Sequence, residues 1–117
     1  MSGMAKLTPL SIFYLLCAVA GLVIPWYFNI SQVLFGTEPF TLANFWAAGF
    51  SNYFVGSLTS DFLIASSAVS VWIVVEGLRL KIRFFWVFIV LSLIVSFAFA
   101  CPLFLFVREQ RLLKSKL

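Results

Sequence analysis

This chain has very little charge. Only 10% of its 117 residues are Asp, Glu, Lys or Arg, and it contains no histidine. Soluble domains carry about 25% charged residues, so there are too few here to wet the surface of a globule. Without histidine, a zinc or haem site built on imidazole is excluded. There are two cysteines, Cys17 and Cys101, in separate apolar stretches with no second thiol at metal-ligand spacing. Each reads as a small buried hydrophobe, and a disulfide between them would require that they face each other at one depth. No glycine-rich phosphate loop, nucleophile elbow or paired-cysteine motif occurs. No catalytic set is complete, and no metal site or obligatory cofactor is expected.

Apolar side chains are abundant instead: 63% of residues are hydrophobic, and fifteen are phenylalanine. Uncharged stretches of about 18 to 25 residues read as membrane-spanning helices. The expected fold is an all-α membrane protein, a single domain over residues 1–117. Its three transmembrane helices are expected at about 7–28, 58–77 and 84–107, followed by a basic tail over 108–117.

Pro9 sits in the first turn of the first span, where proline is tolerated. Pro25 and Trp26 are expected to close that span, with Trp26 and Tyr27 in an interfacial aromatic belt. A cleaved signal peptide is the competing reading, on Lys6 and the sequence Ala18-Val19-Ala20. The apolar run continues to Ile24, longer than a signal core, and favours a span. Between the first two spans, Thr41 can cap a short helix at about 41–50 that lies flat at the interface with Leu42, Phe45 and Trp46 on one side. A further span over 40–56 is the weaker alternative, because Asn44, Ser51 and Asn52 interrupt it. Pro102 is expected to kink or end the third span.

Seven of the eight basic residues form two clusters: Arg79, Lys81 and Arg83, then Arg108, Arg111, Lys114 and Lys116. Both abut hydrophobic segments, which points to lipid headgroups and away from nucleic acid. With three spans, Lys6 and the first cluster share one side and the tail takes the other. That four-against-four split leaves orientation undecided by the positive-inside rule.

The candidate functional residues lie on the second span. Asp61 and Glu76 bracket an uncharged run and would stand roughly 22 Å apart on one helix. With Ala65, Ala68 and Trp72 they share a stripe about 80° wide. Ser66 and Ser70 beside it form a small-xxx-small pair that permits close helix approach. Acids in membrane segments are candidates for proton handling, cation binding or general acid work. The structural alternatives are specific. Asp61 follows Ser57, Thr59 and Ser60 and reads as a helix-start signal. Glu76 reads as an interfacial ion-pair member with Arg79, joined by Arg83. The many aromatic residues leave room for a bound lipid or pigment, but more often pack against lipid and other helices.

The stretches AVAGLVIPWYF, FWAAGFSNYFVGSLTSDFLIASSAVSVWIVVEGLRL and FAFACPLFLFVRE resemble a family of short bacterial and cyanobacterial membrane proteins, the domain of unknown function numbered twenty-eight thirty-four. Its most specific parts here are Asn52 through Asp61, the Glu76-Gly77-x-Arg79 step and Pro102-Leu103-Phe104-Leu105. The resemblance implies a three-helix protein of a plasma or thylakoid-type membrane and carries no established activity. Small multidrug exporters fit less well, since they carry a glutamate in the first helix and Leu7 to Phe28 holds no acid.

Three functional expectations follow. The first is a non-enzymatic accessory or assembly subunit of a larger membrane complex, packing on a membrane-protein partner or its own copies through the small residues of the second span. The second is a small enzyme or carrier for an isoprenoid-like lipid or pigment, with Asp61 or Glu76 as the acid. The third, ranked lowest, is ion or proton transport by a homo-oligomer.

Overall fold

In the computed structural model, which describes residues 7–115, five helices and no strand are present among the described residues. They are α1 (Pro9–Phe35), α2 (Leu42–Ala48), α3 (Tyr53–Arg79), α4 (Phe85–Ile94) and α5 (Phe97–Ser115). Lys6, Lys116 and Leu117, on which parts of the orientation and tail expectations fall, lie outside the described residues.

Among the described residues, two helices are long and apolar enough to cross a membrane: α1 and α3, of 27 residues each. At 1.5 Å per residue each is roughly 40 Å long, against a hydrocarbon core of about 30 Å. Neither is the core helix of a globule. Phe13, Leu16, Val23, Phe28 and Leu34 of α1 and Phe54, Leu58, Ile64 and Val71 of α3 are all exposed.

Start signals match the residue types that satisfy orphan amides. The Thr8 side chain accepts from the Ser11 amide, Thr41 from Asn44 and Asn52 from Val55. The short helix expected at 41–50 is therefore present as α2, and 40–56 forms no span. Pro25 does not close α1, which continues ten residues further to Phe35. Pro102 likewise lies inside α5, which runs on to Ser115.

The expectation of a third continuous span over 84–107 is incorrect. The chain breaks at Val95–Ser96 and doubles back. Phe88 of α4 and Phe104 of α5 meet edge-to-face at 5.2 Å. A straight helix would separate them by roughly 24 Å. Phe88 and Phe104 join Ile73 and Ile82 in the core cluster. α4 and α5 are thus an antiparallel hairpin.

Paired contacts set its direction. α5 runs parallel to α3: Phe62 meets Phe97, Trp72 meets Phe104, and Arg111 Nε donates to the Leu80 carbonyl. It runs antiparallel to α1, with Gln110 beside Ser11 and Val95 beside Trp26. α1 and α3 do not pack on each other; α5 lies between them and joins them. The hairpin tip therefore stands level with the middle of α1. The α3–α4 turn, the end of α5 and the start of α1 share one end of the molecule, and α2 lies at the other.

Candidate functional site

Two constellations hold the hairpin, one at its base and one at its tip. At the base, Glu76 is buried on the packed face of α3 with Ile73 and Gly77. Both of its carboxylate oxygens are engaged. Arg79 Nε donates to Oε1 at 2.6 Å and Arg79 Nη2 to Oε2 at 3.0 Å. Arg108 Nε of α5 donates to Oε2 at 2.6 Å, and its guanidinium lies 5.5 Å from the centre of the Trp72 ring. Charge-assisted bonds of this kind are short and strong, and the Trp72 face adds a cation–π contact. Glu76 therefore clamps the returning helix α5 to α3.

Arg83 does not join this network. Its guanidinium lies 5.7 Å from the centre of the Phe84 ring. The ion-pair set is Glu76, Arg79 and Arg108, with the third member 32 residues from the first. Nothing local in the sequence marks Arg108 as the partner, because only the hairpin brings it there.

At the tip, the backbone carbonyls of Gly21 and Val95, left unpaired by Pro25 and by the break, are satisfied across the α1–α5 contact. Pro25 has no amide hydrogen, so the Gly21 carbonyl four residues earlier lacks its helical donor. The Ser96 hydroxyl donates to that carbonyl at 2.6 Å. The same oxygen of Ser96 accepts from the Phe99 amide at 3.1 Å and so caps α5. That leaves the Val95 carbonyl without the amide a continuous helix would supply, and the Trp26 indole donates to it at 2.6 Å. Pro102 frees the Ala98 carbonyl in the same way, and this group packs directly on Gly21, where any Cβ would collide with it. Trp26 is thus not at the end of its helix; it pins the hairpin tip.

The sequence did carry a signal for this contact. Gly21-x-x-x-Pro25 and Ala98-x-x-x-Pro102 each place a small residue under a carbonyl that proline has freed. Cys17 and Cys101, both free thiols, line an apolar hollow of about 510 Å³ beside the same contact, with Gly21, Pro25, Ala98 and Pro102.

The remaining candidates divide between two faces of α3. Ser66 and Ser70 are half-buried on the side that packs, and the Ser66 hydroxyl donates to its own helix at the Leu63 carbonyl. Asp61, Ala65 and Ala68 are exposed. Asp61 is not a helix-start residue: Asn52 caps α3, and no acid lies in its first turn. Asp61 stands two turns further in and takes part in no ion pair among the described residues. Asp61 and Glu76 are therefore not brought together. Among the described residues no group of three His, Cys, Asp or Glu side chains could hold a metal ion. A hollow of about 620 Å³ beside α2 has a mixed lining, Asn29, Gln32, Glu38 and Asn44 together with Phe28 and Phe45.

Compared with known proteins, residues 13–110 match the family described as "Protein of unknown function DUF2834". No curated protein and no solved structure matches the chain.

Proposed function

The chain belongs to the family of proteins of unknown function DUF2834, and from that premise and its packing we propose that it is an integral membrane accessory or assembly subunit without catalytic activity of its own. It crosses the bilayer twice, through α1 and α3, and inserts the α4–α5 hairpin as a re-entrant element. The ten residues of α4 rise roughly 15 Å, about half the hydrocarbon thickness. The break at Val95–Ser96 suits that depth in part because the Val95 carbonyl, the Ser96 hydroxyl and the Phe99 amide have partners within the protein. Both basic clusters then lie on one side, and the tie left by a three-span reading disappears. Arg79, Lys81, Arg83, Arg108, Arg111 and Lys114 face the cytoplasm by the positive-inside rule.

The observation that carries the accessory reading is the exposed side of α3. Asp61 stands roughly 12 Å along that helix from Tyr53, uncovered, with the small residues Ala65 and Ala68 below it on the same exposed side. An uncovered carboxylate at that depth is costly in lipid and acceptable against a protein partner, and small residues let a partner helix approach. The acid-catalyst alternative draws less support, because both oxygens of Glu76 are committed to arginines.

Purification in mild detergent from the native membrane, followed by mass spectrometry of co-migrating proteins, tests the reading. A stoichiometric partner should be retained by the unaltered chain and lost in Ala65→Leu/Ala68→Leu, whose own melting should be unchanged. A chain that migrates alone, or a partner indifferent to the double substitution, refutes it. Ser66→Leu or Ser70→Leu would instead disturb the chain's own packed face.

A further inference from the structure

Re-entry of the hairpin brings together cations that lie far apart in the sequence. The α3–α4 turn, Leu80 to Phe84, carries Lys81 and Arg83, both exposed. Lys81 holds the left-handed conformation, with φ at 55°. From α5, Arg111 reaches this turn and donates through Nε to the Leu80 carbonyl at 3.0 Å, so its guanidinium sits beside the residue preceding Lys81. Lys114 follows Arg111 by three positions, on the same side of α5.

These four cations have no carboxylate partner among the described residues. Glu76 is saturated by Arg79 and Arg108, and those are the two ion-paired arginines. Glu109 enters no ion pair among the described residues and lies two positions from Arg111, on a different side of the helix. The same end therefore carries six described cations against Glu76 and Glu109.

Aromatic side chains determine which anion suits the cluster. Phe84 and Trp86 are 58% and 55% exposed immediately beyond Lys81 and Arg83. Large rings beside basic residues at the end of apolar helices are the arrangement of a membrane–water interface. Nucleic acid would require a polar surface around the cations, and here the surroundings are apolar.

We propose that Lys81, Arg83, Arg111 and Lys114 form a binding site for the headgroup of an anionic phospholipid, with Phe84 and Trp86 seated among the neighbouring acyl chains. The proposal rests on the two-span reading with a re-entrant hairpin, since only that placement puts all four cations in one leaflet. The headgroup phosphate receives hydrogen bonds from guanidinium and ammonium donors. Each cation near an anionic surface contributes enough to change affinity about five-fold.

The test uses the full chain in nanodiscs of phosphatidylglycerol or of phosphatidylcholine, reading thermal unfolding and, by native mass spectrometry, retained lipid. Phosphatidylglycerol should be retained and should raise the melting temperature over phosphatidylcholine. Lys81→Gln/Arg83→Gln/Lys114→Gln, whose side chains make no hydrogen bond among the described residues, should reduce that retention on the order of 100-fold. If the triple variant folds poorly, Lys81→Gln/Lys114→Gln should still lose on the order of 30-fold. Equal behaviour in the two lipids, or a preference retained by both variants, overturns the site while leaving the two-span reading intact. Stabilisation by free inorganic phosphate to the same degree overturns the assignment to a lipid. Failure to insert into either lipid overturns the two-span reading, and the site with it.

Discussion

Replacing Gly21 tests the hairpin's attachment most directly. A Cβ at this position would fall within the van der Waals shell of the Ala98 carbonyl and 2.7 Å from the Phe99 nitrogen. Both obstacles are backbone, so no side-chain rotation relieves them. α1 and α5 must separate by roughly 1 Å to restore ordinary contact. That movement would stretch the Ser96–Gly21 and Trp26–Val95 hydrogen bonds, each now 2.6 Å, to about 3.6 Å, where neither survives.

Overpacking costs about 1–3 kcal/mol. Each lost hydrogen bond adds roughly 0.6–1 kcal/mol in an apolar setting. The gain in helix propensity from glycine to alanine returns about 1 kcal/mol. Gly21→Ala should therefore destabilise the protein by about 2 kcal/mol. Gly56→Ala is the control. A Cβ there meets only Phe50 Cδ1, at 3.9 Å, so that change should be neutral or stabilise by up to about 1 kcal/mol. Reversible unfolding in mixed micelles, followed by circular dichroism and Trp fluorescence, measures both. If Gly21→Ala were as stable as Gly56→Ala, the α1–α5 contact would not be closed by backbone packing.

Breaking the clamp at the base should be asymmetric in the same unfolding assay. Glu76→Gln should cost about 2 kcal/mol by leaving the largely buried Arg108 without its carboxylate, and Arg108→Gln about as much by cutting the ion pair that ties Glu76 to α5. Arg79→Gln should cost clearly less, since the Arg79 side chain is 58% exposed and surface pairs contribute little; equal losses from all three would contradict the geometry. Lys81→Gly should stabilise by about 1 kcal/mol, because glycine adopts the left-handed region without the Cβ clash that lysine bears. A loss of stability would show that contacts of the lysine stem outweigh that strain. Membrane sidedness can be read by thiol labelling in a Cys17→Ala/Cys101→Ala background. Single cysteines replacing Lys81 and Lys114 should react from the same side and one replacing Thr37 from the opposite side, whereas a third full span would place positions 81 and 114 on opposite sides.

Local features were sufficient for much of this architecture. Thr41 marks the start of α2 because a short polar side chain can satisfy the first orphan amides wherever it occurs; Asn52 does the same for α3, ahead of the start expected at about 58, where Ser57, Thr59, Ser60 and Asp61 form the more conspicuous cluster. The uncharged length of the first two long segments likewise sets helices of membrane-spanning length. The pairing of Glu76 with Arg79 is an i,i+3 relation that any helix enforces.

The third segment defeated this reasoning. Phe84 to Val107 is one unbroken apolar run, and hydropathy cannot distinguish a span from a hairpin of the same composition. Ser96 appears in it as a tolerable polar residue; its cap on the Phe99 amide is local, whereas the acceptor for its hydroxyl, the Gly21 carbonyl, comes from α1. Only with Gly21 close enough for backbone contact, and with Trp26 facing Val95, do the Ser96 hydroxyl and the Val95 carbonyl find their partners on α1.

Arg108 follows the same logic. It reaches Glu76 because the chain has turned back, and a straight third helix would place it at the far end. The sequence by itself thus determined that the chain is helical, that a helix starts after Thr41 and that two segments are long and apolar enough to span a membrane, since these depend on neighbours within a few residues; the end of α1, expected at about 28, lies at Phe35, and the start of α3, expected at about 58, lies at Tyr53. Tertiary structure alone decided that the third segment reverses and that both basic clusters share one end. Those outcomes rest on hydrogen bonds between residues 69 or more positions apart and on an ion pair spanning 32.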